Sequence, residues 1–215
     1  MNQYIREPIN GFTHLAGAIL AFIGLLALVI KAASTGGSPL TITAVILFGL
    51  SMILLYSASA AYHMVIAKDR VIAFLRKLDH SMIFILIAGT YVPFCLISLR
   101  GVTGWTLFFI ISSIALCGIS FKIIWFNCPR WLSTALYIAM GWMIIFVIVP
   151  LSSALSFQGV LLLVIGGCIY TIGGLIYALK PKWLTFKEWG FHEIFHIFIL
   201  LGSLAHFLSV YFFVL

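Results

Sequence analysis

His192-Glu193-Ile194-Phe195-His196 leads directly into IFILLGSLAHFLSVYFFVL, residues 197–215, a run almost free of polar side chains. A run of that length and apolarity is enough for a helix to cross a bilayer. The two imidazoles four positions apart fall one helical turn apart on one face, about 6 Å along the axis, which suits chelation of a single metal ion. Taken alone, the motif is explained more simply by two interfacial histidines satisfied by water or backbone. Histidine is costly inside a membrane without a partner, however, so the pair is a candidate site. The rest of the chain decides between these readings.

The whole chain matches its last segment. It has 215 residues, 64% hydrophobic and only 8% charged, with a mean hydropathy of +1.23. That leaves too little polar surface for a soluble domain. Apolar runs recur at 14–32, 41–63, 79–99, 104–124, 132–150, 158–179 and 193–214. Each is near the length a bilayer core requires, and the alternating ten-residue pattern of a membrane barrel is missing. The expectation is an all-α integral membrane protein: residues 1–215 form a single seven-transmembrane helix bundle, with no room for a separate soluble domain.

The net charge of +7 does not point to nucleic acid. Arg6, Lys68, Arg70, Arg76, Lys77, Lys122, Arg130, Lys180, Lys182 and Lys187 fall on one side of the predicted topology, leaving Lys31 and Arg100 on the other. The positive-inside rule then puts the N-terminus in the cytoplasm and the C-terminus outside, with the basic loops facing anionic inner-leaflet lipids. Glu7, Asn10 and His14 argue against a cleaved signal peptide at the first span. The four cysteines lack paired spacing, so neither disulfides nor a thiolate metal cluster is expected.

Other polar residues gather at the predicted cytoplasmic boundary. Glu7, Asn10 and His14, spaced three and four, form one polar stripe if helical, either as an interfacial cap around Pro8 or as partners orienting deeper groups. Ser59 and His63 share a face at the end of the second span. Asp79 opens the third span, as a helix N-cap or as a carboxylate able to accept a proton from water. His80 points about 100° away and is left out of the site. Spans four to six show little chemistry: Gly118, Gly141, Gly166, Gly167, Gly173 and Gly174 read as helix-contact positions. His206, about 15 Å along the last helix from His196, reads as a packing or hydrogen-bonded histidine.

These elements together (Glu7-x2-Asn10-x2-Thr13-His14, Ser59-x3-His63, Asp79 and His192-x3-His196) resemble the signature of the progestin and adipoQ receptor family, whose bacterial branch is called hemolysin III. Part of the pattern is also similar to alkaline ceramidases. The resemblance covers nearly the full chain. It implies a zinc ion near the cytoplasmic leaflet, held by His63, His192 and His196, with Asp79 beside the attacking water and Ser59 close by. Three protein ligands with one open position is the catalytic kind of zinc site. The resemblance therefore implies a zinc-dependent hydrolase of a membrane lipid amide or ester.

Alternatives remain at this point. The zinc could be structural, in a non-catalytic sensor or regulator of membrane state. His192-Glu193-x2-His196 also matches the zinc-metalloprotease pattern, with Glu193 as general base, but no later acidic ligand completes it. A pore lacks the recurring polar face it would need. Nothing in the chain supports hormone binding of the eukaryotic kind.

Overall fold

The structure, a computed structural model, describes residues 4–186 and 189–215; Lys187, one of the basic residues counted above, lies outside them. Seven helices among the described residues are long and apolar enough to cross a membrane. They are α1 (Pro8–Ser34), α2 (Pro39–Met64), α3 (Asp69–Leu99), α4 (Gly101–Ile124), α5 (Arg130–Ala154), α6 (Phe157–Leu179) and α7 (Phe191–Val214).

Local chemistry explains where several of them start and stop. Pro8 and Pro39 occupy the first turns of α1 and α2, where a missing N–H costs nothing. The Ser38 and Ser156 hydroxyls accept from the backbone N–H groups of Thr41 at 3.2 Å and Gly159 at 3.3 Å, capping α2 and α6. Between α3 and α4 the chain reverses through Arg100 and Gly101, with φ of 48° and 55°. Glycine accepts such a φ without a Cβ clash, and the Arg100 side chain is anchored by donating to the Ile97 carbonyl at 2.9 Å.

All seven apolar runs lie on separate helices, but α3 differs most from the expectation. Its helix begins at Asp69, ten residues before Asp79. Hydropathy treats Arg70, Arg76 and Lys77 as the end of a span, yet charged side chains do not interrupt backbone hydrogen bonding. The carboxylate of Asp79 is therefore no N-cap but sits almost three turns inside the helix. The last turn of α3 widens to π-helical form after Pro93, and α5 narrows to 3-10 form over Trp142–Val147.

Neighbouring helices pack in sequence, and α7 returns against α1. Phe48, Tyr56, Phe84, Phe94 and Met140 are fully enclosed or nearly so. Hydrogen bonds tie the helices where water is excluded: Tyr56 Oη donates to Ser203 Oγ at 2.6 Å, and Tyr91 Oη to the Gly141 carbonyl at 2.6 Å. Leu20, Phe109, Leu116 and Val149 lie open on the outside, as contact with lipid requires. The chain is a multi-pass membrane protein.

Two glycines illustrate close helix approach. A Cβ on Gly118 or Gly166 would come within 2.3 Å of Phe84 or His206. Gly141 and Gly167 do not conform to the helix-contact reading: nothing approaches the first within 4 Å and only Trp142, at 3.8 Å, the second. Both line an internal cavity instead. His206, fully internal, donates a ring N–H to the Leu163 carbonyl at 3.2 Å.

Candidate metal centre

The antiparallel course of the helices brings the start of α1, the end of α2 and the start of α7 to one end of the bundle. There, His63, His192 and His196 offer ring nitrogens within 4.8 Å of one another. Their ring centroids are 4.8–5.0 Å apart. Zn–N bonds of about 2.0–2.1 Å in a tetrahedral site place ligand nitrogens roughly 3.3 Å apart, so a small rotation of the rings gathers them around one ion.

The hydrogen bonding of His63 tests whether a metal fits. Its ring is wholly buried, and Nδ1 donates to Glu7 Oε2 at 2.6 Å. This fixes the tautomer and leaves the lone pair of Nε2, buried and without a protein partner, on the side of the histidine group. A carboxylate behind a metal-binding imidazole is the usual arrangement for orienting the ring and raising its basicity. Three imidazoles, one already oriented, suit zinc or another borderline divalent ion.

The polar stripe of α1 supports this group from behind. The Glu7 carboxyl is held down at about 2 by the hydrogen bond from His63, with help from the charges of His63 and Arg6 and a bond from Asn10, against the opposing effect of partial burial. Asn10 Nδ2 donates to Glu193 Oε1 at 2.7 Å and, more loosely, to Glu7 Oε2 at 3.4 Å. His14 stacks face to face on His196, with centroids 3.6 Å apart and planes 6° from parallel. All three residues thus touch the histidine group or its supports.

Glu193 has a role that the sequence did not disclose. Its Oε2 accepts from the Gly190 N–H at 2.8 Å, satisfying the backbone donor just ahead of α7, while Oε1 accepts from Asn10. Both carboxylate oxygens are engaged, so Glu193 is placed as a structural clamp between α7 and α1. The signal was present as an acidic residue three positions after Gly190, but the metalloprotease pattern drew attention to the same residue.

Asp79 and Ser59, both buried, come from adjacent helices α3 and α2. They line a cavity of about 170 Å³ together with His192 and His196. The Ser59 hydroxyl is buried without a hydrogen-bond partner. The cavity runs on between α3, α5 and α6 along mainly apolar side chains such as Ile83, Leu86, Phe94 and Leu163. His80, left out of the site by its direction on the helix, also borders it.

The middle helices contribute more chemistry than their hydropathy implied. Lys122 is only 2% exposed, with Nζ donating to Ser133 Oγ at 3.0 Å. Ser133, Thr134 and Cys128 are buried beside it and line the same cavity. Averaging over an apolar window conceals such isolated polar residues, and Lys122 at the end of α4 reads as an ordinary flanking charge.

Comparison with known proteins gives a consistent result. A family profile described as haemolysin-III related matches residues 2–207. The chain is 43% identical over 216 aligned positions to Hemolysin-3 of Bacillus cereus, covering 100% of this chain and 95% of that protein. It is 41% identical over 210 positions to a Hemolysin-3 homolog of Bacillus subtilis (strain 168), covering 97% and 95% respectively.

Proposed function

Because the chain belongs to the haemolysin-III related family, we propose that it is a zinc-dependent hydrolase of a membrane lipid amide or ester. The observation that carries this reading is the convergence of His63, His192 and His196 beside a buried carboxylate and an internal, mainly apolar cavity. A lipid tail fits such a lining better than a soluble substrate does, and a hydrolytic site needs both a proton acceptor and a chamber that restricts water.

His63, His192 and His196 would hold a zinc ion, and the chemistry it would supply there is Lewis acidity toward a carbonyl oxygen and toward water. Asp79 takes the proton from the water that attacks the carbonyl carbon and passes it to the departing amine or alcohol as the carbon–nitrogen or carbon–oxygen bond breaks. Ser59 donates a hydrogen bond to the developing oxyanion. Glu7 keeps His63 in the metal-ready tautomer, Asn10 holds Glu7 and Glu193 in place, and His14 sets the plane of His196.

In this reading the protein resides in the plasma membrane with its N-terminus in the cytoplasm and the metal centre near the inner leaflet. The excess of basic residues around the α2–α3 connection supports that orientation, as does their attraction to anionic inner-leaflet lipids. Elemental analysis of the purified protein, followed by a lipid-ester and lipid-amide screen with wild type and Asp79→Asn, tests the function. The expected result is about one zinc per chain in both, with turnover in wild type alone. A metal-replete protein inert to every lipid, whose biological effect survives Asp79→Asn, would point to a structural metal instead.

A further inference from the structure

The internal cavity carries an excess of positive charge that hydrolysis of a neutral lipid does not use. Lys122, which is buried, Arg130, half-buried, and Arg76, exposed, all line it, against the single carboxylate of Asp79. None of the three cations has a carboxylate within ion-pair distance among the described residues, whose ion pairs all involve Glu7. Burying an unpaired charge is costly, so a lysine that is almost fully enclosed needs a compensating anion or a set of polar partners. Lys122 has only neutral ones: Ser133 Oγ, the Phe126 carbonyl at 3.5 Å and Cys128 Sγ at 3.6 Å.

Aromatic rings hold these cations in place. Lys122 and Arg76 both lie over Phe126, at 5.0 and 5.1 Å from its centroid, and Arg130 lies over Tyr177 at 4.8 Å. With Lys77 at 5.9 Å, three like charges are gathered on one ring, and they repel each other unless an anion offsets them. Arg130 also keeps a buried guanidinium nitrogen, Nη1, without a hydrogen-bond partner. His80 packs on the same Phe126 ring, centroids 5.4 Å apart, and the cavity wall that holds the three cations also holds His192 and His196. Basic residues facing a membrane surface do not need this arrangement, because they reach headgroups from outside.

We propose that the cavity takes a phosphate-bearing lipid, with its phosphate held by Lys122, Arg76 and Arg130 and its acyl chain laid along the apolar lining. Arg guanidinium groups and a lysine ammonium are the side chains best suited to phosphate oxygens. This rests on the cavity being the substrate chamber of the proposed hydrolase, and it narrows the substrate to a class. A phosphate gripped at the basic end orients the molecule so that one end of the acyl linkage faces Asp79 and the histidines.

The test uses purified full-length protein in neutral detergent, with zinc content measured on every sample. Thermal stabilisation is titrated with oleoyl lysophosphatidic acid, with monoolein (the same acyl glycerol without phosphate) and with inorganic phosphate. Lysophosphatidic acid is expected to bind at least about tenfold more tightly than either of the others. Lys122→Met and Arg130→Gln should each remove most of that advantage while zinc content stays at the wild-type level. Lys68→Gln and Lys182→Gln, on the exterior, should leave it unchanged. Met matches the buried shape of Lys122, and Arg130→Gln provides an independent variant should the first fail to fold.

Equal affinity for monoolein, or an advantage that survives both cavity variants or is lost in the exterior ones, overturns the proposal. Inorganic phosphate binding as tightly as the lysolipid overturns its lipid half. Zinc in the protein with no phosphate preference rejects this inference but leaves the hydrolase reading intact. A wild-type protein that holds no zinc rejects the hydrolase reading, whichever lipid it prefers.

Discussion

The Glu7 carboxylate, one residue ahead of α1, accepts a 2.6 Å hydrogen bond from Nδ1 of His63, the penultimate residue of α2. It joins the first two helices beside the group of His63, His192 and His196, which could hold a metal ion. Replacing it by Gln or Ala should weaken metal affinity by about 10- to 100-fold, because the ring loses the partner that sets its tautomer and raises its basicity. Competition with a zinc chelator of known affinity measures this directly; unchanged affinity would remove Glu7 from the centre.

The same bond has a pH signature. The folded-state value of about 2 lies below the ordinary 4.5, so the stabilisation is fully present above about pH 4.5 and is lost as the pH falls toward 2. Glu7→Gln does not titrate there. With both proteins stripped of metal, the melting-temperature gap between wild type and Glu7→Gln should shrink as the pH falls from about 4.5 toward 2. The gap is expected to be modest, since Glu7 is 40% exposed.

Removing any one of the three histidines should release the metal, whereas removing Asp79 should not. His63→Ala, His192→Ala and His196→Ala are expected to purify with little zinc, and Asp79→Asn with about one ion per chain but no turnover. Elemental analysis and a lipid-release assay on the same preparations separate a ligand from a proton acceptor.

Glu193 should prove structural. Glu193→Gln is expected to keep its metal and its lipid hydrolysis, since Gln can still accept from Gly190. Glu193→Ala loses the cap and the contact with Asn10 and should cost about 1 kcal/mol of stability. Loss of activity in the Gln variant, with the metal retained, would instead support the general-base role of a metalloprotease.

Gly166→Ala should destabilise the bundle without touching the metal centre. The added methyl would meet His206 at 2.3 Å, deep between α6 and α7, and overpacking of this kind costs about 1–3 kcal/mol. Thermal denaturation in detergent should show the loss, while the folded fraction keeps its full zinc content.

The sequence alone determined the bundle, because spanning a bilayer requires long apolar runs whose backbone hydrogen bonds close within each helix, and that requirement is written in consecutive residues. It also brought out the His192–His196 pair, the stripe of Glu7, Asn10 and His14, and the polar end of α2, since helical periodicity converts spacing into shared faces. The family resemblance implied that His63 joins His192 and His196. Only the tertiary structure supplies the contact itself, between residues 129 or more positions apart. It alone placed Asp79 inside a longer α3, and Glu193 between Gly190 and Asn10. It alone turned Lys122 inward, because hydropathy records how polar a residue is but not which neighbours it faces. Which helix faces converge is fixed by packing across the whole bundle, and no single span contains that information.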